Sequence, residues 1–221
     1  MTIAEIRNAS GMTGVAADPA VNRQRSLIMT PEILQWVKEG RVYHGFGGVL
    51  TTPESGWATD LVRQTPIFYL RVPAGVVAVP ILSQIAPEAT GAAVQQVLVS
   101  TANNDIGTSN AVALTPVNVN TRFATVGSQV AAYATVTGAT GTAPTGVADL
   151  FRHYQQVDHD AITGAPTPPI TYSPFHGQGS YAVIGSSSAI NSFMVYYANG
   201  TSSTGFHIHF WAEFTYDEFY G

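Results

Sequence analysis

His207-Ile208-His209-Phe210-Trp211-Ala212-Glu213 is the segment of this 221-residue chain best equipped for chemistry. Histidines at i and i+2 project from the same side of an extended strand, and Glu213 shares that side. Imidazole and carboxylate together are a donor set for zinc, iron or manganese, so His207, His209 and Glu213 are candidate metal ligands. An alternating strand that carries two histidines for other reasons has the same spacing, and that reading stands beside the first. Asp158-His159-Asp160, with His153 upstream, is a second polar cluster. A histidine between two acids can hold a metal or act as a base, and the triplet also suits a solvated loop.

The spacing of His207, His209 and Glu213 resembles the first metal motif of the cupin family, in which His-x-His is followed by Glu after three or four residues. The resemblance covers about fifteen residues and implies a metal-dependent enzyme on a β-scaffold. Cupins use a further histidine from a later strand, and here none follows Glu213. A ligand drawn from His176 or His153 would need a different connectivity.

Other motifs are weaker. Gly45-Phe-Gly47-Gly48 and Gly177-Gln-Gly179-Ser180 match neither a dinucleotide nor a phosphate-loop fingerprint. No G-x-S-x-G elbow occurs, so neither a catalytic residue nor a cofactor is assigned. Glu213, Asp217 and Glu218 read as a solvated acidic end. Tyr196, Tyr197, Trp211, Tyr216 and Tyr220 cluster near the C-terminus. They suit core and interface packing, or a stacking platform for a surface glycan.

The elements that must position these residues are mostly strands. Thr30-Pro31-Glu32 supplies an N-cap, a proline at N1 and an acid in the first turn, so a short helix is expected over 31–39. After Gly40, Val-, Tyr-, Phe- and Thr-rich runs alternate with Gly, Pro, Asn and Ser. Strands are expected over 41–50, 66–72, 76–84, 93–100, 111–119, 121–125, 129–137, 150–157, 180–185, 192–198 and 205–216. The last two, flanking Asn199-Gly200, are expected to pair as a hairpin. In the second arm Phe206, Ile208, Phe210, Ala212 and Phe214 form the expected core face. His207, His209, Trp211, Glu213 and Thr215 form the opposite face, open to water or a neighbouring subunit. Segments 137–146 and 163–173 read as surface loops.

Composition narrows the function classes. Charged residues are 10% of the chain, against about 25% in ordinary globular proteins. Hydrophobic residues are 45%, which excludes a disordered chain. Net charge is -5 with a single lysine, Lys38, so no clustered cations are available to grip nucleic acid strongly. Cysteine is absent, which removes disulfides and thiolate chemistry. The first twenty residues lack a secretory apolar core. The longest apolar run, near 72–82, is too short and too proline-rich to span a membrane. From Val72 to Ala148 the only charges are Glu88, Asp105 and Arg122. A Thr/Ser/Asn/Gln surface would explain this, and so would coverage by other subunits; uncharged edge strands favour an assembly.

The expected fold is therefore all-β: a jelly-roll-like antiparallel β-sandwich with one short N-terminal helix. An apolar arm over 1–29 precedes the sandwich domain over 30–221. The layout and composition resemble single jelly-roll structural proteins of icosahedral viruses. That resemblance implies a self-assembling capsid or capsid-surface protein, located in the virion. Its partners would be copies of itself and other shell proteins, with the arm reaching a neighbour. An extracellular carbohydrate-binding or adhesin β-sandwich and the cupin-like enzyme are the alternatives.

Overall fold

A computed structural model describes residues 32–48, 52–57, 60–88, 93–134, 142–157, 169–199 and 203–221. The expected arm, the N-cap at Thr30-Pro31 and the Asp158-His159-Asp160 cluster lie outside the described residues. The chain divides between Gln35 and Trp36, within the helix α1 (Glu32–Lys38), and the sandwich belongs wholly to the second unit.

The strands are β1 (Val42–Gly47), β2 (Glu54–Trp57), β3 (Phe68–Val72), β4 (Val76–Glu88), β5 (Ala93–Ala102), β6 (Val112–Leu114) and β7 (Val117–Asn118). They continue as β8 (Ala131–Ala134), β9 (Ala148–Val157), β10 (Ile170–Tyr172), β11 (Ile184–Gly185), β12 (Asn191–Ala198) and β13 (Ser203–Thr215). A short helix α2 (Tyr216–Tyr220) follows. A seven-stranded antiparallel sheet runs β10-β4-β13-β1-β7, with β11 joined to β4 and β2 to β13. A six-stranded antiparallel sheet runs β6-β8-β3-β12-β5-β9. Phe68, Leu70, Val97, Val99, Phe193, Val195 and Tyr197 of the second sheet meet Tyr43, Trp57, Ile85, Ile170, Tyr172 and Trp211 of the first in one core. No helix among the described residues is long and apolar enough to cross a membrane.

β4 and β13 form the spine of the seven-stranded sheet, paired from Val76–Thr215 to Glu88–Thr204. Pro80 lies inside β4, where a missing N–H would break the ladder. A bulge accommodates it: Phe210 pairs with Leu82 and Trp211 with Pro80, leaving Ile81 over. The bulge also switches which β4 side chains face inward, so Val76 and Ala78 before it and Ile85 after it all reach the core.

The outer face of the six-stranded sheet is covered over β3, β12 and β5 by the chain's own loops. Tyr69, Leu98, Ala102, Met194 and Tyr196 point outward and are buried with Ile106, under Leu61 and Val147. Asp105 fastens this cover: it accepts from Tyr69 Oη at 2.8 Å, Arg71 Nε at 2.7 Å and Gly107 N at 2.9 Å. Burial pushes its carboxyl up, but these donors outweigh it and hold the pKa below the usual range. β12 is thus buried on both faces, which is why it reads as an unbroken apolar run from Phe193 to Ala198.

Several expectations are corrected. β12 and β13 do not pair as a hairpin; they belong to opposite sheets. The strand expected over 121–125 is a 3-10 turn, Thr121–Phe123, because Asn120 accepts from Arg122 N at 3.1 Å and caps it. The strand expected over 111–119 splits into β6 and β7 around Pro116. Of 180–185 only Ile184–Gly185 is strand, and β2 and β10 were not expected.

Candidate functional site

The alternation of β13 holds, but its faces are reversed. His207, His209, Trp211 and Glu213 point into the sandwich and are 3%, 1%, 0% and 6% exposed. Phe206, Ile208, Phe210 and Phe214 are the outward, half-buried set. Remote partners make the reversal tolerable, since a buried polar group is costly only when unpaired.

The cross-strand neighbours on β1 leave room for the rings: Tyr43 faces Trp211, Gly45 faces His209 and Gly47 faces His207. A Cβ on Gly47 would overlap His207 Nε2 and lie 2.8 Å from Glu54 Oε2. In that space Glu54 of β2 accepts from His207 Nε2 at 2.7 Å and from Trp57 Nε1 at 3.1 Å. With His207 Nε2 as donor, its Nδ1 accepts from His209 Nε2 at 2.9 Å. His209 stacks on Phe68 of the other sheet, centroids 3.6 Å apart and planes 13° apart. Burial first, and His207 beside it second, drive the pKa of His209 well below the usual histidine value.

Glu213 has separate partners. Its carboxylate accepts from Trp211 Nε1 at 2.7 Å, from Gln129 N at 2.8 Å and from the Ser128 hydroxyl. Burial raises its pKa, opposed by these same donors. Ser128 and Gln129 lie just before β8, so Glu213 links the seven-stranded sheet to the six-stranded one.

These side chains do not fit the metal that the cupin resemblance implies. His207 uses both ring nitrogens on Glu54 and His209, and Glu213 is held by Trp211, Ser128 and Gln129. Among the described residues no group of three or more His, Asp or Glu is placed to hold a metal ion. His153 lies on β9, and His176 Nδ1 is hydrogen-bonded with Ser173 Oγ at 2.7 Å outside this seam. Trp211, Tyr196 and Tyr197 are buried and present no platform to a glycan. Glu218 is not merely solvated: it accepts from Arg41 Nη1 at 2.8 Å. Glu54 and Ser128 gave no signal because they sit in stretches without periodicity, and Gln129, at the start of the strand expected over 129–137, acts through its backbone N–H. The glycines at 45 and 47, alternating like the rings they face, were the available signal.

The outward face of the seven-stranded sheet is the second candidate. At its α1 end, Trp36 packs edge-on against Phe214 and Phe175 at 5.4 and 5.8 Å, and outward Val42, Val77, Val79 and Ala212 are buried. Towards the far end the face is open. Phe46 is 50% and Val117 43% exposed. His44 stacks on Phe46 and tilts against Phe210, at centroid distances of 6.1 and 5.5 Å. Phe206, Ile208, Gln84 and Ala86 continue the face into an apolar groove of about 420 Å³. Partial burial lowers the pKa of His44, so at neutral pH this stretch carries no formal charge.

Comparison of the chain with protein-family models, with curated proteins and with solved structures finds no match. Fold and site together define an antiparallel two-sheet β-sandwich with a buried polar seam and one open apolar sheet face.

Proposed function

We propose that this protein is a structural, self-assembling β-sandwich that builds a virion shell or decorates its surface. The observation that carries the reading is the open outer face of the seven-stranded sheet. A contiguous apolar, uncharged face built from Phe46, Phe206, Ile208 and Phe210 is the kind of surface that soluble monomers avoid and assemblies bury. The contrast within the molecule supports it: the middle of the other sheet's outer face is covered by the chain's own loops, while among the described residues the Phe46 end of this one stays partly exposed. The partner is first of all another copy of the chain, with other shell proteins as further candidates. Low charge and a single lysine leave packaged nucleic acid outside its direct reach. Electron microscopy of the purified full chain tests the reading. Closed or sheet-like particles of repeated subunits are expected, and a field of isolated subunits at high concentration contradicts it.

A further inference from the structure

The two sheets end side by side at β9 and β10, and a cleft of about 380 Å³ opens there. Phe151, His153, Gln155, Ile170, Thr171 and Gln178 line it, with no Asp, Glu, Lys or Arg among the described lining residues. Phe151 and His153, alternate residues on the inner face of β9, hold their rings nearly parallel, with planes 6° apart. His153 Nε2 donates to Gln155 Oε1 at 3.3 Å. Gln178 reaches the cleft from a tight turn: its backbone N and O bond to Ser173 O and N at 3.0 and 2.9 Å, and Gly177 takes a φ of 75° to close it. Behind this lining, Gln95 is the cross-strand neighbour of Gln155. It is fully buried, and neither atom of its amide has a partner among the described residues. A buried amide with both atoms unsatisfied is rare; Gln95 lies behind the cleft rather than in its lining.

We propose that this cleft binds a neutral sugar residue. Amides and imidazole offer donors and acceptors in turn, matching hydroxyls, which are both at once. Parallel flat rings accept the C–H face of a pyranose. The described lining, being uncharged, gives no compensation to a desolvated phosphate or carboxylate. The volume falls in the range of small-ligand sites. The cleft adjoins the open sheet face, since Thr171 in its lining pairs with Gln84 of that face, but its sugar binding does not depend on assembly.

Saturation-transfer NMR on the full chain tests it, because the signal is read on the ligand and works for a subunit or a particle alike. The probes are the methyl glycosides of glucose, galactose, mannose and N-acetylglucosamine, with inorganic phosphate as the charged control. At least one glycoside is expected to saturate in the millimolar range, with no phosphate binding. Gln155→Ala and Gln178→Ala are each expected to weaken it about tenfold. Gln178 is exposed, so its variant keeps the wild-type melting temperature and carries the test if Gln155→Ala misfolds. Absence of saturable binding by every glycoside, binding undiminished in Gln178→Ala, or preferential phosphate binding overturns the proposal.

Discussion

His209 is wholly enclosed, stacked on Phe68, and its Nδ1 has no partner among the described residues. Its pKa is pushed well below the usual 6.5, so the folded state keeps it neutral where the unfolded chain takes up a proton. Stability then rises with pH wherever the unfolded state binds more protons. Stability is therefore expected to fall as pH drops below 6.5, with a limiting slope of about 1.4 kcal/mol per pH unit. Glu213 acts in the opposite sense, because its raised pKa makes the folded state favour the proton above 4.5. His209→Gln keeps an N–H for His207 Nδ1 and removes the titration. Chemical denaturation of both proteins from pH 7.5 to 5 should show a flatter profile for the variant. Parallel profiles contradict the assignment. The residue types of this seam were legible in the sequence, but their direction was not. His, Trp and Glu on one face look solvent-directed until Glu54, Ser128 and Gln129 are known to arrive from elsewhere in the chain.

At the scale of elements, β1 and β13 fit because Gly45 and Gly47 on β1 make room for the rings of His209 and His207 that face them. Gly47→Ala places a methyl group where His207 Nε2 and Glu54 Oε2 meet. The outcome expected is a loss of about 1–3 kcal/mol, the usual cost of overpacking, read as a lower denaturation midpoint with unchanged slope. Retained wild-type stability would mean that the Glu54–His207 link is not fixed. The long strands β4, β5, β9, β12 and β13 were legible from their Val, Tyr and Phe runs. Sheet membership was not. Asn199-Gly200 suits a tight hairpin between β12 and β13, yet β13 pairs with β4 over twelve positions and β12 with β5 over seven. Non-local ladders of that length outweigh a local turn preference. The short strands β2 and β10 are held by a neighbour's ladder rather than by their own composition, so local propensity gave no sign of them.

At the scale of the molecule, the charge-poor stretch from Val72 to Ala148 has two explanations in different places. Where it forms the six-stranded sheet, its outward apolar side chains are covered by loops that Asp105 fastens. Where β4 enters the seven-stranded sheet beyond its bulge, Leu82, Gln84 and Ala86 face outward beside Phe206, Ile208 and Phe210 with only partial cover. The sequence supported an assembly from its lack of charge, but could not say which face was bare. Sedimentation velocity of the full-length chain beside Phe46→Glu tests this most directly. Phe46 is half exposed and its replacement leaves the core untouched, so the variant folds with the wild-type melting temperature. The wild type is expected to sediment as a multi-subunit species and Phe46→Glu to shift towards the single subunit, because a carboxylate buried without a partner is strongly unfavourable. A wild type that sediments as a monomer at every concentration, or a variant that assembles as well as the wild type, contradicts the account.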